Sequence, residues 1–435
     1  MIHSPHDTWT PQSWSTKPVI AQAVEYDDPK ALESVLSTLS TLPALVSPMK
    51  IEIARNSFAA AARGEAFIIQ GGDCAESFDD VRLHVIQQKI KLLQEQSHLL
   101  VQGLSLPVIT VGRIAGQYAK PRSSPWETLE DGTRTHAFRG HNINGSNIGE
   151  RRPDPYRLLL GDSYSRTTLQ MIKDIQSTPS SMGRNFVPAQ NSFPLTPEET
   201  DVAALPTPTG TIFTSHEALH LPYESAMTRD RYNTSASFIW IGERTRQLDG
   251  AHVEYIRGLR NPIGVKIGPS TEGSTLVALL NTICPEPHLS ENVGRVTIIT
   301  RLGAEKVATL LPPLIKAVQE AGHTPVWMCD PCHGNTQTTK AGLKTRHVGR
   351  MLLEATQTYQ THRESNSILG GLHLEQTGEF VTECQDDDNM DQRSALGSNY
   401  RSLCDPRLSN VQALSLVRQF VDFVRYREGK EKLGY

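Results

Sequence analysis

Eight short apolar runs recur along the chain, and each ends in a charged or metal-capable side chain. The runs cover residues 66–74, 107–113, 211–217, 238–244, 263–266, 296–301, 325–330 and 371–375. A continuous apolar run is typical of a strand that is buried on both faces of a parallel sheet. Polar residues at the ends of such strands are what a (β/α)₈ barrel gathers at its C-terminal mouth, where its chemistry is done. The pattern therefore predicts a fold and a functional site together.

Helical periodicity separates several of these runs. Apolar residues recur at helical spacing over residues 81–100, 270–283, 304–322 and 410–428. Alternation of buried strands with helices predicts a parallel sheet, and about eight such units predict closure into a barrel. We therefore expect an α/β fold, a (β/α)₈ TIM barrel with an N-terminal helical extension and loop insertions. The pattern is weakest after the second, third and fourth runs.

The predicted organisation has two parts. Residues 1–64 are expected to form an extended arm and two helices, and residues 65–435 the catalytic barrel. Insertions are expected at about 114–162, a loop rich in Arg, Gly, Asn and Pro, and at 175–209, an irregular segment rich in Ser, Thr and Pro. An acidic cluster is interpreted as a solvated loop, with an acidic metal site as the alternative. The cluster comprises Asp386, Asp387, Asp388 and Asp391.

Composition narrows the class of protein. The 435 residues carry a formal net charge of −4 and show no basic block, which argues against a nucleic-acid partner. No apolar stretch approaches the ~20 residues that span a bilayer, and the N-terminus resembles neither a signal nor a transit peptide. The six cysteines are too sparse for a disulfide scaffold, so we expect reduced thiols and a cytoplasmic protein without a membrane partner.

Cations collect where the strands end. Arg113, Arg244, Lys266 and Arg301 each close a run, and Lys120 and Arg122 follow in the motif AKPRSS. In a barrel these side chains converge on one mouth, which predicts a ligand with several negative charges, such as phosphate and carboxylate groups. Structural ion pairs are the alternative for any single cation, but they account poorly for the whole set, because unpaired buried cations are costly.

A second set of residues could hold a metal ion. Cys74, His333 and Glu375 fall at or just past the first, seventh and eighth runs, and Asp405 is a further candidate. One thiolate, one imidazole and two carboxylates suit Mn²⁺, Co²⁺, Fe²⁺ or Zn²⁺ better than Mg²⁺ or Ca²⁺. Each could equally be an ordinary polar group at a strand end, and Cys74 a small buried hydrophobe.

The segment Cys329-Asp-Pro-Cys332-His333 also matches the C-x-x-C-H pattern of covalent haem attachment. Covalent haem is disfavoured, because it normally accompanies export and because the first cysteine falls inside a predicted buried strand. A thioredoxin-like dithiol is disfavoured as well, because the motif ends a seventh strand rather than opening a helix after a first one.

Long motifs in a fixed order identify a family at this point. The motifs are QGGDCAESF (70–78), GRIAGQYAKPRS (112–123), TSHEALHLPYESAMTR (214–229), WIGERTRQLDGAHVEYIRGLRNPIGVKIGPS (240–270), TRLGAEKV (300–307), CDPCHGNT (329–336), GGLHLEQTGE (370–379) and CDPRL (404–408). The sequence resembles the class II, plant-type 3-deoxy-D-arabino-heptulosonate 7-phosphate (DAHP) synthases over most of its length. That family condenses phosphoenolpyruvate with erythrose 4-phosphate and water to give DAHP and phosphate, the first step of the shikimate pathway.

The resemblance implies a role for each candidate residue. The implied metal ligands are Cys74, His333, Glu375 and Asp405, which would hold Mn²⁺ or Co²⁺, with Fe²⁺, Zn²⁺ and Cd²⁺ as alternatives. The implied contacts to phosphoenolpyruvate are Arg113 and Lys120 for the carboxylate, and Arg244, Lys266 and Arg301 for the phosphate, with Glu243 alongside. Arg122 and Ser123 match the part that holds the sugar phosphate. As hypotheses, Lys120 donates a proton near the aldehyde oxygen and His333 relays protons. The implied partners are a second copy of the chain and, as a further candidate, a chorismate mutase.

The chain departs from the family pattern in three places. The usual R-G-D-x-x-N-G motif contains His141 in place of its acid, so we expect altered local ion pairing. Cys332 stands where the family usually has Met, a change between two soft apolar side chains. The segment 175–209 replaces a helical stretch that carries aromatic effector sites in long members, so we expect weak or absent feedback through it.

Two alternatives to this function stay open from sequence. One keeps the fold and takes an aminated erythrose 4-phosphate as acceptor, as in secondary metabolism; the cation set would be the same. The other is a catalytically inactive binding or regulatory homologue, against which stands the presence of all four ligands and every cation. A synthase of a different 3-deoxy sugar acid fits the long motifs less well.

Overall fold

The computed structural model describes residues 9–129, 131–177, 210–386 and 396–432. Eight parallel strands form a closed barrel. These strands are β1 Phe67–Gly72, β2 Val108–Arg113, β5 Ile212–Glu217, β8 Phe238–Ile241, β9 Ile263–Ile267, β10 Val296–Thr300, β11 Val326–Cys329 and β14 Leu369–Glu375. Their order around the barrel is β1-β14-β11-β10-β9-β8-β5-β2. Each falls on one of the eight apolar runs, so the predicted α/β barrel is confirmed.

Helices lie outside the strands and at the N-terminal end of the chain. They are α1 Pro29–Thr41, α2 Pro48–Ala62, α3 Leu83–Leu104, α4 Tyr156–Ser177, α5 Leu221–Ala226, α6 Ala251–Arg257, α7 Gly273–Ile283, α8 Val307–Glu320, α9 Val348–Glu364 and α10 Asn410–Lys432. None of these helices is both long enough and apolar enough to cross a membrane. The four helices that periodicity predicted after the barrel strands correspond to α3, α7, α8 and α10.

The two predicted N-terminal helices begin at local signals. Asp28 accepts hydrogen bonds from the first turn of α1, and Ser47 accepts one from Lys50 in α2. Each helix has proline at its first position, where the missing N–H costs nothing. Helix α2 packs Ala54 and Phe58 against side chains of the barrel strands and so covers part of the core. The division of the chain at residue 64 stays a prediction.

The sequence pattern was weakest for the helices after the second, third and fourth barrel strands, and it did not identify α9, which follows the seventh strand. Helix α4 begins at Tyr156, inside the segment predicted to be a long loop, and it is 22 residues long. It buries Gly161, Asp162, Ser165 and Thr168. Small and polar residues on the buried face remove the apolar stripe on which the prediction depends. Helices α5 and α6 have six and seven residues, which is too short to show a period.

Three short antiparallel hairpins complete the described structure. They are β3 Trp126–Thr128 with β4 Arg134–His136, β6 Thr228–Arg229 with β7 Tyr232–Asn233, and β12 Thr336–Thr338 with β13 Lys344–Arg346. The first hairpin, like the start of α4, lies in the predicted 114–162 insertion. The third follows β11 and brings polar side chains of β13 to the mouth of the barrel.

The N-terminal arm packs on its own chain. From Trp9 to Asp28 it contains one short 3₁₀ turn, Ser13–Thr16, and is otherwise without helix or strand. The Trp9 indole donates a hydrogen bond to the Glu254 carbonyl at 3.1 Å. Trp9 and Trp14 both pack against the apolar core that surrounds α6.

Two predictions from the sequence concern segments that lie largely outside the described residues. The insertion at 175–209 falls almost wholly within residues 178–209, outside the described residues, and the feedback expectation attached to it stays a prediction. Of the acidic cluster, Asp386 is described and accepts a hydrogen bond from Gln412 at 2.9 Å. The other three aspartates lie outside the described residues.

Candidate active site

A cavity of about 300 Å³ opens at the C-terminal mouth of the barrel. Its lining contains most of the residues that sequence analysis selected. The lining residues are Cys74, Arg113, Lys120, Pro121, Glu217, Gly242, Glu243, Arg244, Lys266, Arg301, His333, Thr336, Glu375 and Asp405. Residues from every part of the barrel thus meet at one place. We call the set Cys74, His333, Glu375 and Asp405 the metal face, and the set Glu243, Arg244, Lys266 and Arg301 the anion face.

Three residues of the metal face meet closely. One donor atom each from Cys74, Glu375 and Asp405 lies within 4.8 Å of the others. His333 joins them through Glu375, since its Nε2 lies 3.1 Å from Oε1 of that carboxylate. The thiol and two carboxylates lie at a spacing that fits a divalent transition-metal ion, and the His333 imidazole, outside that group of three, contacts Glu375 at its edge.

Glu375 is held by two arginines. It is the last residue of β14 and pairs in register with Gly72 of β1, which in turn pairs with Arg113 of β2. Gly72 has a φ of +148°, and a Cβ there would lie 2.6 Å from the Arg113 carbonyl oxygen, so the close approach requires glycine. Arg113 Nη2 lies 3.1 Å from Glu375 Oε1, and Arg346 Nη2 lies 2.7 Å from Oε2.

Neighbouring cations keep the Glu375 carboxyl group ionised. Burial alone would raise the pKa of Glu375, but His333, Arg346 and other cations hold that pKa well below its usual range. Arg346 is completely buried and also donates to the Pro406 carbonyl, next to Asp405. One guanidinium therefore links Glu375 to the main chain beside Asp405.

Two lysines hold Asp405. Lys120 Nζ lies 2.6 Å from Oδ2, and Lys344 Nζ from β13 lies 2.7 Å from Oδ1. Lys120 Nζ also donates to the Cys74 sulfur at 2.5 Å. The ammonium thus lies against two donor atoms of the metal face, and this contact with a positive charge supports the assignment of these donors to a cation. Burial and the neighbouring Cys404 raise the pKa of the Cys74 thiol, so a metal ion must displace a proton to bind its sulfur.

Asp330 fixes the orientation of His333. The carboxylate is fully buried directly after β11, and its Oδ2 accepts a hydrogen bond from His333 Nδ1 at 2.7 Å. A metal ion can bind Nε2 only in the tautomer whose proton is on Nδ1, and the hydrogen bond to Asp330 favours that tautomer. Oδ2 also lies 2.9 Å from Lys266 Nζ on β9. Burial would raise the pKa of Asp330, but His333 and Lys266 hold that pKa well below its usual range.

The anion face is more open. Arg244 is exposed, Arg301 is half-buried, and Lys266 is buried and faces the Trp240 ring at 5.7 Å. Glu243 is occupied by a bidentate contact with Arg246, with distances of 2.7 and 3.1 Å. No carboxylate among the described residues lies within ion-pairing distance of Arg244 or Arg301. Arg244 and Arg301 therefore line the cavity without a direct ion-pair partner among these residues.

Arg122 and Ser123 lie beside the cavity rather than in its lining. They line an adjacent cavity together with arm residues 19–23 and the β3–β4 hairpin. Ser123 Oγ lies 3.4 Å from Arg244 Nη2, which connects this segment to the anion face. The Arg122 guanidinium lies 3.2 Å from Glu127.

Sequence analysis missed several residues that support the site. Asp330 ends a predicted strand but was assigned no role. Arg346 and Lys344 lie on the β12–β13 hairpin, where no apolar run marks a strand. The sequence feature that could have identified them is the polar segment KTR, which follows the CDPCHGNT motif. This segment carries two cations close in sequence to the predicted ligands.

The departures from the family motif are accommodated locally. His141 is buried between Phe78 and Phe138, and its Nδ1 accepts a hydrogen bond from the Phe78 N–H at 3.0 Å. Burial and the nearby Arg157 lower the pKa of His141, so a neutral imidazole occupies the expected place of the acid. Cys332 is buried, and its sulfur accepts from the Glu375 N–H at 3.3 Å. Cys329 lies inside β11, as the strand pattern predicted.

Comparison with known proteins identifies the family. The model of the class-II DAHP synthetase family matches residues 9–201 and 198–421. The chain is 44% identical to a phospho-2-dehydro-3-deoxyheptonate aldolase of Neurospora crassa, over 98% of this chain and 96% of that protein. It is 39% identical to the protein of that name from Streptomyces coelicolor, over 93% and 95% of the two chains. A relative from Mycolicibacterium smegmatis is 38% identical over 92% and 91%. The chain therefore belongs to the class-II DAHP synthetase family, as its motifs predicted, and its enzyme class is that of a DAHP synthase.

Proposed function

We propose that the described cavity performs the condensation of phosphoenolpyruvate with erythrose 4-phosphate and water, which yields DAHP and inorganic phosphate. The observation that carries the proposal is that one cavity is lined both by a close group of three possible metal donors, with His333 beside them, and by the cations of the anion face. A site with both features can neutralise two phosphorylated anions and activate an aldehyde at the same place.

Cys74, His333, Glu375 and Asp405 are the residues proposed to hold the metal ion. Their mixed donor set and the contact of an ammonium group with two of them support that assignment. When bound, a divalent ion supplies Lewis acidity that polarises the aldehyde carbonyl. Mn²⁺ or Co²⁺ is the proposed ion, as the family resemblance implies, and Fe²⁺, Zn²⁺ and Cd²⁺, which the same donor set also suits, are the alternatives to compare in a metal titration.

The cations orient phosphoenolpyruvate. Arg113 and Lys120 are proposed to bind its carboxylate, and Arg244, Lys266 and Arg301 its phosphate. In this proposal C3 of the enol faces the metal face, where the aldehyde would lie. The cations offset the repulsion between the two anions. Binding both substrates in one site also removes much of the entropic cost of bringing them together from solution.

The reaction then needs one proton and one water molecule. The new carbon–carbon bond joins C3 of phosphoenolpyruvate to the aldehyde carbon, and the aldehyde oxygen takes up a proton. Lys120 is the proposed donor, because its ammonium lies among the metal-face donors. Water adds at C2, and the carbon–oxygen bond to phosphate breaks. His333 is the proposed relay for the proton of that water, with Asp330 holding its other nitrogen.

Arg122 and Ser123 are proposed to bind the phosphate of erythrose 4-phosphate. Their support is the contact between Ser123 and Arg244, which places the segment at the edge of the cavity. The segment 120–123 thus joins the metal face, through Lys120, to the anion face.

Phosphate release tests the function. Purified protein is incubated with phosphoenolpyruvate and erythrose 4-phosphate, with phosphoenolpyruvate alone, and with both substrates plus a chelator. We expect release only with both substrates, loss of release with chelator, and recovery on addition of Mn²⁺ or Co²⁺. Silence after metal addition would favour the inactive homologue, and faster turnover of the aminated aldehyde would favour the secondary-metabolism alternative.

We further propose a cytoplasmic homo-oligomer, with a chorismate mutase as a candidate partner. All six cysteines are free, which agrees with a reducing compartment. Light scattering of the purified protein tests the assembly. Activity measured with and without an added chorismate mutase tests the second partner.

A further inference from the structure

The N-terminal arm reaches the segment that follows β2. The side-chain amide of Gln22 pairs with both main-chain groups of Arg122: Nε2 donates to the Arg122 carbonyl at 2.8 Å, and the Arg122 N–H donates to Oε1 at 2.8 Å. Two hydrogen bonds to a single residue fix its main chain much as a rung of a β-ladder does. Residues 100 positions apart in sequence are thus joined at the edge of the active site.

Gln22 is held in an uncommon conformation. Its φ is 69°, in the left-handed region that is sterically unfavourable for a residue with a Cβ. The guanidinium of Arg139 donates to the carbonyls of Gln22 at 2.7 Å and of Ala23 at 2.6 Å. Arg139 is itself buried. A strained backbone persists only where its surroundings over-determine it, and such positions concentrate at functional sites.

Arg139 completes a ring of contacts around Pro121. Its carbonyl accepts a hydrogen bond from the Lys120 N–H at 2.9 Å. The ring runs from Lys120 through Arg139 and Gln22 back to Arg122, and it fixes the main chain on both sides of the proline. Removal of the Gln22 amide would release Arg122, whereas Lys120 would keep its main-chain bond to Arg139.

We propose that Gln22 is a positioning residue for the aldehyde substrate. It sets the main chain of Arg122 and thereby the direction of Arg122 and Ser123. The inference rests on the proposed function, in which these two residues bind the phosphate of erythrose 4-phosphate. The arm then acts mainly on erythrose 4-phosphate. Lys120, the proposed phosphoenolpyruvate contact within the ring, keeps its main-chain bond to Arg139 without the Gln22 amide, and the proposed phosphate contacts of phosphoenolpyruvate lie on and after β8, β9 and β10, outside the ring.

Steady-state kinetics of Gln22→Ala and Gln22→Gly test the proposal. We expect the KM for erythrose 4-phosphate to rise roughly tenfold, since small misplacements of a binding group cost one to two orders of magnitude. The KM for phosphoenolpyruvate should stay within about twofold of the wild type in the same preparations. Gln22→Gly keeps the left-handed conformation without steric cost, so it tests the amide even where Gln22→Ala fails to fold. The matched control is Gln12→Ala, an exposed glutamine of the same arm.

A double variant checks the route of the effect. In an Arg122→Ala background, which by itself should raise the KM for erythrose 4-phosphate, Gln22→Gly should add little, because both act on one segment. Fully additive effects, an equal rise of both KM values, or a fall in Tm without a change in KM would overturn the inference. A wild type without turnover would instead overturn the proposed function.

Discussion

The metal face and the anion face share a cavity but differ in how completely their charges are paired. On the metal face, Glu375 contacts two arginines and Asp405 contacts two lysines. On the anion face, Arg244 and Arg301 have no carboxylate within ion-pairing distance among the residues that the structure covers. The carboxylates of the metal face have ion-pair partners without any ligand, whereas the two arginines of the anion face would gain theirs when an anionic ligand binds.

The difference follows from what each face must bind. The two carboxylate ligands are ionised before a metal ion arrives, because the cations around Glu375 and Asp405 hold the pKa of both carboxyls below its usual range. The Cys74 thiol, whose pKa is raised, loses its proton on binding the ion. A site for phosphate gains most when its cations keep their charge uncompensated, because the attraction is then realised on binding. Asp330 lies where the two faces meet and serves both.

The largest effect is expected on the metal face. Cys74→Ser replaces the soft thiolate with a hydroxyl that stays protonated and binds transition metals poorly. We expect turnover to fall by more than about 10³-fold, and metal affinity, measured by chelator competition, to fall with it. The control Cys284→Ser changes a buried cysteine at the end of α7 and should keep both. Full activity of Cys74→Ser would remove this residue from the metal face.

Arg301→Ala tests the other half of the comparison. The loss of an uncompensated cation should lower kcat/KM by about 10²- to 10³-fold, and Arg301→Lys should lose less because it keeps the charge. Metal affinity should not change in either variant. Arg152→Ala, an exposed arginine paired with Asp27, is the matched surface control. A comparable loss of metal affinity would show that the two faces are not separate.

A smaller effect on both faces is expected from Asp330→Asn. The amide lacks the charge that compensates Lys266 and orients His333. Metal affinity should fall by about 10- to 100-fold, the usual cost of losing a carboxylate behind a metal-binding histidine, and the KM for phosphoenolpyruvate should rise in the same variant. Asp27→Asn on the surface is the control. A change in only one of the two quantities would contradict the shared role.

The sequence predicted the barrel and most of the cavity because strand ends in a closed parallel barrel must converge. Arg113, Lys266, Arg301, Asp330 and Glu375 each lie in or directly after a barrel strand. Their placement needs only the strand pattern and the topology.

Residues brought in by irregular segments were not predictable in the same way. Arg346 lies on a hairpin and Gln22 on an arm, and no periodicity links either to the barrel mouth. Helix α4 escaped detection because it buries small and polar side chains. The residues that hold the site in place depend on long-range contacts that a local sequence pattern does not encode.

The smallest effect concerns pH and extends the comparison to the loop beneath the anion face. Glu354 on α9 accepts hydrogen bonds from the N–H groups of Leu302 and Gly303, directly after Arg301. Burial raises the pKa of Glu354 from 4.5 to about 7, the opposite of the carboxyls on the metal face. Because the folded pKa exceeds the unfolded value, its contribution to stability is present below about pH 4.5 and is lost as pH rises through about 7.

Glu354→Gln should therefore flatten the pH dependence of the free energy of unfolding. The wild type should lose up to about 1.4 kcal/mol per pH unit more than the variant between about pH 5 and pH 7, measured by urea denaturation. The slope is the readout, since glutamine also loses one acceptor for Asn335 and shifts the whole curve. Glu364→Gln, exposed on the same helix, should leave the slope unchanged. Parallel curves for Glu354→Gln and the wild type would show that titration of Glu354 does not affect the stability of the protein. The contrast in charge between the two faces would then be limited to residues that line the cavity.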